Sequence, residues 1–336
     1  MFKVLVVASG FSQATRQPID MMKGVGFSVE ELDYGPGGLN QDEAEFCRII
    51  KGVDALIVTA TEQVTRRVFE SADMLKMVAI RSAGFEGTDL KAATDHRILV
   101  THNPGANRQA VADMTLGLML SVSRRIVWMD KGMREGKYNE LRLAAKDIHR
   151  KTLGIIGLGR IGKAVAIRAK GFEMKLFYHD IVAYPEFAHD HGIEKVSLEQ
   201  LLKVSDIVTL HVPIDESTRY MIREREVKMM KKGAILINTC RGGVLDEKAV
   251  YSNVVNGHLY GYGADAHEKE PPTFLDLLRL DNVVTTPHLA GLSEQGIMNM
   301  AIETAEKVIQ FLKEGRIPDD VLNPEVLSRV KVPKKE

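Results

Sequence analysis

Short runs of aliphatic and β-branched residues, separated by polar turns and amphipathic stretches, recur along the whole chain. In the first third, KVLVVAS, FSVEELDY, DALIVTAT, LKMVAIRS and RILVTH read as strands. AEFCRIIKG and VTRRVFESA read as helices between some of them. This alternation predicts a parallel sheet wrapped by helices. Punctuation by Pro104 and Gly105 in HNPGAN ends the series, and Asn107 is placed to cap the helix that follows.

A second series starts at Thr152, with strands TLGIIG, MKLFYHD, DIVTLHV, AILINTC, LYGYGAD and NVVTTP. Before it, residues 109–129 form a helical pattern that is apolar around most of its circumference, too much for one partner face. A last helix is predicted over 294–314, capped by Ser293 and stopped by Gly315. Its spacing sets Ile297, Met300, Ala301, Thr304, Val308, Phe311 and Leu312 on one face.

At 336 residues the chain accommodates two domains with full cores, and 45% hydrophobic residues argue against disorder. The 45 basic and 45 acidic residues cancel, so no overall field draws the chain to nucleic acid or an anionic membrane. The only notable basic cluster is the short tail KVPKKE. Cys47 and Cys240 fit neither a zinc spacing nor a disulfide framework, which predicts reduced thiols in the cytoplasm. No secretory leader pattern opens the chain, and the apolar stretch interrupted by Asp113, Arg124 and Arg125 is too short to span a bilayer.

The most specific local signal is GLGRIG between a strand and a helix. Gly157 can make the tight turn, Gly159 can admit a pyrophosphate to the backbone, and Gly162 can let the helix pack closely. The helix N-terminus offers N–H groups to the phosphates, and the next strand ends at Asp180, spaced for a ribose carboxylate. A 2′-phosphate would be repelled by Asp180, and Ile181 and Val182 supply no cation, so NAD is expected rather than NADP.

Ligands of open α/β sheets bind beyond the carboxyl ends of the strands. Three such ends deliver Arg241, then Asp265 with Glu268 and Glu270, then His288. Histidine can exchange a proton with a hydroxyl, a neighbouring carboxylate can orient it, and arginine can grip a carboxylate with two hydrogen bonds. Each residue alone also fits a surface ion pair or a solvated loop, and spacing does not choose between Glu268 and Glu270.

RSAGFEGTDL, NPGANRQAVAD, KTLGIIGLGRIG, LHVPIDESTR, INTCRGGVLDE, GADAHEKEPP and TPHLAG, in this order, resemble the NAD-dependent D-isomer-specific 2-hydroxyacid dehydrogenases. That family includes phosphoglycerate dehydrogenase and glyoxylate/hydroxypyruvate reductase. The resemblance covers almost the whole chain. It implies two doubly wound parallel-sheet domains: a Rossmann cofactor domain over 105–293, inserted into a flavodoxin-like substrate domain over 1–104 and 294–336. Substrate would lie in the cleft, with closure excluding water. The resemblance implies Arg241 as the substrate-carboxylate arginine, His288 as acid/base and Glu270 as its carboxylate. Arg160, Ile161, Val212, Pro213, Thr239, Cys240, Asp265 and Ala290 join the glycines and Asp180 as cofactor contacts, Asp265 near the carboxamide. Arg81, Ala83 and Gly84 are the implied substrate contacts besides Arg241 and His288, and no metal is implied.

Departures from the family pattern are informative. Ala266 and His267 stand where an apolar pair is common, and Asp113 replaces a glutamate. Arg81 matches members that oxidise phosphoglycerate, whereas Thr59 occupies a place where those enzymes often carry another arginine. His189 and His191 suggest a solvated loop rather than a metal site, and His211 packing beside the cofactor. For the 109–129 helix the resemblance implies a homodimer interface; burial between the two domains is the alternative. The expected activity is interconversion of a small D-2-hydroxy acid and its 2-oxo acid, 3-phosphoglycerate or hydroxypyruvate/glyoxylate. The alternative of another class is an NAD-sensing corepressor-like interaction protein.

Overall fold

The computed structural model describes residues 1–34, 42–330 and 333, so most of the KVPKKE tail lies outside the described residues. The chain forms two compact units, Met1–Asn107 with Ser293–Glu336, and Arg108–Leu292.

The first unit runs β1 (Lys3–Val6), α1 (Gln17–Gly24), β2 (Ser28–Glu31), α2 (Glu43–Ile49), β3 (Ala55–Val58), α3 (Arg66–Ser71), β4 (Met77–Ile80), α4 (Leu90–Asp95) and β5 (Leu99–Thr101). Its strands are all parallel in the order β2-β1-β3-β4-β5, the flavodoxin-like winding. ALIV of β3 and MVAI of β4 are buried at every position, as strands covered by helices on both faces must be. Asp42, Thr65 and Asp89 cap α2, α3 and α4, each side chain accepting a backbone N–H three residues on. The pattern of the sequence finds α2 and α3 but not α1 or α4.

The second unit begins with α5 (Arg108–Ser123) and α6 (Ile126–Arg134). It continues through β6 (Thr152–Ile156), α7 (Arg160–Lys170), β7 (Lys175–His179), α8 (Pro185–His191), β8 (Ile193–Lys195), α9 (Leu198–Val204) and β9 (Ile207–Leu210). Then follow α10 (Glu224–Met229), β10 (Ala234–Asn238), α11 (Glu247–Val255), β11 (Leu259–Ala264), α12 (Leu275–Leu278) and β12 (Val283–Thr285). Seven parallel strands order as β12-β11-β10-β9-β6-β7-β8. Counted from β6, this is the Rossmann winding with one strand added at the far edge, and the winding reverses between β6 and β9.

The single helix expected over 109–129 is two. Arg125 adopts φ 54°, which ends the α-helical hydrogen bonding between Ser123 and Ile126. Its guanidinium is held across the fold, Nε donating to the Tyr260 hydroxyl at 3.1 Å and the head lying 5.2 Å from the Tyr260 ring. α5 packs against α7 and against β10 and β11, burying Val111, Ala112, Leu116, Met119 and Val122. Much of its apolar circumference is therefore consumed inside its own unit. The exposed apolar residues lie on α6 instead: Ile126, Val127 and Met133.

The chain returns to the first unit in α13 (Glu294–Leu312). Ser293 caps it by accepting the Gly296 N–H at 3.0 Å, and Gly315 follows at φ 64°. Ala301, Val308, Phe311 and Leu312 enter the core that holds Val4, Val6 and Ile57, while Ile297 is half-buried. Among the described residues, no helix is long and apolar enough to cross a membrane.

Candidate functional site

In the second unit, every residue singled out at a strand end lies on the carboxyl edge of the sheet. The GLGRIG turn joins β6 to α7. Gly157 has φ 91°, and a Cβ there would lie 2.4 Å from the His211 carbonyl oxygen. A Cβ at Gly162 would come within 2.1 Å of the Gly157 carbonyl oxygen, so this position allows the helix to sit on the turn. At Gly159 a Cβ would meet nothing within 4 Å. That residue is also the N-cap of α7 and brings no side chain to its first turn. These are the properties of an anion cradle made from main chain. Arg160 is exposed and Ile161 half-buried in the first turn of the helix.

Asp180 follows β7 and is tied to the turn it faces. One carboxylate oxygen accepts the Leu158 N–H at 2.7 Å, the other the Val182 N–H at 2.8 Å. Each oxygen keeps further acceptor capacity for a ribose hydroxyl. Val212, after β9, lies close to Gly157, and the exposed Pro213 accepts the Thr218 hydroxyl at 2.7 Å. His211 bonds Thr209 Oγ1 through Nε2 at 3.0 Å, and its Nδ1 has no partner. Burial pushes its pKa down to about 3, so the ring is neutral.

Beyond β10, Asn238 shapes the turn that carries Arg241. Its Oδ1 accepts both the backbone N–H and the thiol of Cys240 at 3.1 Å, and its Nδ2 donates to the Arg241 carbonyl at 3.0 Å. The Arg241 Nη1 donates to the Cys240 carbonyl at 2.8 Å. Burial pushes the Cys240 thiol up to about 11, which keeps it protonated and poorly reactive at neutral pH. Thr239, beside it, shares a hydrogen bond with Thr115 of α5 at 2.9 Å.

His288 and Glu270 are brought together: Nδ1 of the ring lies 2.7 Å from Oε2 of the carboxylate, with both side chains partly exposed. Burial opposes ionisation of Glu270, but the hydrogen bonds from His288 and from the His267 N–H outweigh it and hold its pKa below the ordinary carboxylate value. Glu268 does not join this pair; its backbone N–H donates to Glu247 at 3.1 Å. The structure thus separates the two glutamates that spacing left equivalent.

His288 has φ 53°, a left-handed backbone that residues other than glycine adopt rarely. Asp265 holds it there. This carboxylate is 1% exposed and accepts the Thr286 hydroxyl at 2.5 Å and the N–H groups of Leu289 at 2.9 Å and Ala290 at 2.8 Å. Sequence reasoning assigned Asp265 to the cofactor and missed this hold on the histidine loop. It also missed Asn238 and the buried pair Glu247 and His267. An aspartate at a strand end signals a ligand and a loop clamp equally well, and Glu247 lies too far along the chain for spacing to connect it to His267.

The remaining predicted contacts belong to the first unit. Arg81, just after β4, is 7% exposed; burial lowers its pKa, with Glu62 opposing, and its Nε has no hydrogen-bond partner. The Ala83 carbonyl accepts from His102 Nδ1 at 2.8 Å, and the Gly84 carbonyl accepts the Ser82 hydroxyl at 3.0 Å. Asp113 pairs with Arg168 of α7 at 2.6 Å. His189 and His191 close the surface helix α8, and among the described residues no group of His, Cys, Asp or Glu could hold a metal ion.

Residues 116–290 match the family model described as D-isomer specific 2-hydroxyacid dehydrogenase, NAD binding domain. The chain is 42% identical to a glyoxylate reductase of Korarchaeum cryptofilum, over 83% of this chain and 85% of that one. It is 40% identical to a hydroxypyruvate reductase of Thermotoga maritima, over 84% and 92% respectively. Among solved structures, it superimposes on D-lactate dehydrogenase from Aquifex aeolicus complexed with NAD and lactic acid. The TM-score is 0.77 at 28% identity, covering 92% of this chain and 95% of that one. An NAD cradle, an arginine and a paired histidine on one sheet edge, with relatives of this kind over most of its length, make this chain a member of the NAD-dependent D-isomer-specific 2-hydroxyacid dehydrogenases.

Proposed function

We propose that this enzyme reduces a small, unphosphorylated 2-oxo acid of the glyoxylate or hydroxypyruvate class, with Arg241, Glu270 and His288 as its working residues. The observation that carries the assignment of residues is the 2.7 Å contact between His288 Nδ1 and Glu270, next to the strand end that bears Arg241. NAD, when bound, supplies the hydride chemistry. Gly157, Gly159 and Gly162 with the start of α7 would hold its phosphates, and Asp180 its ribose. Ile161, Val212, Pro213, Thr239, Cys240 and Ala290 are assigned to the same cofactor.

Arg241 grips the substrate carboxylate and draws density from the adjacent carbonyl. With Nδ1 committed to Glu270, Nε2 is the nitrogen of His288 that exchanges a proton. In reduction it donates that proton to the carbonyl oxygen; in oxidation it takes the hydroxyl proton. The Glu270 carboxylate accepts from Nδ1 and fixes the plane of the ring. For the first unit, Arg81, Ala83 and Gly84 are assigned to substrate on the resemblance.

A small substrate is favoured by Thr59. Its hydroxyl and backbone N–H both go to the buried Glu62 carboxylate at 2.5 Å, and that carboxylate also acts on Arg81. An anion is held there instead of the second cation a phosphate would need. The two sequence relatives reported above are named glyoxylate reductase and hydroxypyruvate reductase, and nothing favours the corepressor-like alternative. The test is a reduction panel of glyoxylate, hydroxypyruvate, phosphohydroxypyruvate and bulkier 2-oxo acids, each with NADH and NADPH. The first two should turn over fastest, and only with NADH; a clear preference for phosphohydroxypyruvate would refute the substrate assignment.

The chain is further proposed to form a homodimer in the cytoplasm. The exposed Ile126, Val127 and Met133 of α6, followed by exposed Tyr138 and Leu143, give an apolar surface with reason to be covered. Light scattering after size exclusion should return twice the mass of 37.3 kDa, and Val127→Asp should return it once. A monomeric wild type would end the proposal.

Glu270 also sets a stability test. Its lowered pKa means that its ionised form stabilises the fold above the ordinary carboxylate pKa, a contribution lost as pH falls through the lowered value. Glu270→Gln should therefore melt below wild type at pH 7, with the gap closing in acid. A gap unchanged between pH 7 and pH 3 would contradict the sign.

A further inference from the structure

We propose that His267 is a positioning residue for the Glu270–His288 pair, joining the three strand ends that carry Arg241, Glu270 and His288 into one rigid unit. The inference rests on the assignment of those three residues made above.

His267 touches each end by a different group. Its backbone N–H donates to Glu270 Oε1 at 3.0 Å, leaving Oε2 for His288. Its ring Nε2 lies 3.1 Å from the Thr286 carbonyl oxygen, two residues before His288. A carbonyl can only accept, so Nε2 carries the proton. The third connection is main chain to main chain. A Cβ on Gly242 would lie 1.9 Å from the His267 carbonyl carbon and 2.2 Å from the Glu268 nitrogen, so the backbone beside Arg241 rests directly on this peptide.

Beneath the ring lies Glu247, at the start of α11. Its Oε1 is 3.7 Å from His267 Nδ1 and also accepts the Glu268 N–H at 3.1 Å. Both side chains of the pair are buried, at 4% and 6% exposure. A polar pair this deep is costly unless its hydrogen bonds are met. Here the ring is held between a carboxylate below and the histidine loop above. The Glu247 carboxylate raises the His267 pKa, burial opposes this, and the Thr286 carbonyl raises it further. The consequence is mechanical. Asp265 fixes the His288 turn through Leu289, Ala290 and the Thr286 hydroxyl, and His267 adds a hold on the Thr286 carbonyl.

The test compares His267→Phe, a ring of similar size without nitrogen, with His267→Gln, which restores a donor for the Thr286 carbonyl. Displacement of a reacting group costs rate steeply, so the phenylalanine variant should lose about tenfold in kcat for hydroxypyruvate reduction. Its KM and its NADH dissociation constant should stay near wild type, and glutamine should recover most of the rate. In crystal structures, the His288–Glu270 contact should open beyond about 3.2 Å in the phenylalanine variant and close again with glutamine. Wild-type kcat and an unchanged contact in His267→Phe would overturn the inference. So would parallel losses of rate, NADH affinity and melting temperature that glutamine does not recover. Equal turnover by wild type and His288→Ala would refute the underlying assignment instead, and the crystallographic distances would still decide the part played by His267.

Discussion

His288→Ala should reduce kcat for glyoxylate or hydroxypyruvate about 10³-fold, within the range that general acid–base catalysis supplies, while NADH binds as before. The separation of effects follows from where the side chain is anchored. The ring makes its hydrogen bond to Glu270, whereas the loop around it is held without the ring: the Leu289 and Ala290 N–H groups and the Thr286 hydroxyl donate to the Asp265 carboxylate. Removing the imidazole leaves that clamp in place, and the glycine turn, α7 and Asp180 lie on other strand ends. Alanine at a φ of 53° is less at ease than histidine, so a small loss of melting temperature is expected as well. NADH fluorescence titration and stopped-flow turnover on the same preparation would check the claim. Loss of NADH affinity with turnover preserved at saturation would assign the residue to cofactor binding.

How much of this was legible beforehand depends on the range of the interactions involved. The strands announce themselves because apolar runs such as ALIV, MVAI and AILIN are buried throughout, and the winding follows from their alternation with helices. α1 and α4 leave no marked period, though at 8 and 6 residues they are close in length to α2 and α3, of 7 and 6. β8, of 3 residues, is too short to show one. The break between α5 and α6 falls at Arg125, whose side chain bonds to Tyr260 more than a hundred positions away, and no local pattern contains that contact.

The site divides in the same way. Gly157, Asp180, Arg241 and His288 stand at strand ends, where position alone raises their interest. The choice of Glu270 over Glu268 came from resemblance, and its physical ground is tertiary: one carboxylate accepts from His288, while the other residue's backbone is turned to Glu247. Asp265, Asn238 and His267 hold the His288 and Arg241 turns through hydrogen bonds to backbone. Such roles leave a residue type in the sequence but no spacing that identifies them.

Arg241→Gln should cost about 100-fold in kcat/KM for the 2-oxo acid, roughly 2.7 kcal/mol, and should leave NADH affinity nearly unchanged. Glutamine keeps one donor but loses the charge and the forked geometry. Most of the cost should therefore fall on KM for the acid, with a further loss in kcat because the carbonyl is no longer polarised. Arg241→Lys retains the charge without the fork and should fall between the two. The backbone at this position survives either change. Asn238 Nδ2 binds the residue 241 carbonyl, and Gly242 remains against the His267–Glu268 peptide. A deficit confined to KM for NADH, with the acid bound as well as in wild type, would move Arg241 from the substrate to the cofactor. The proton and hydride would then have to reach a carbonyl oriented by something other than its own carboxylate.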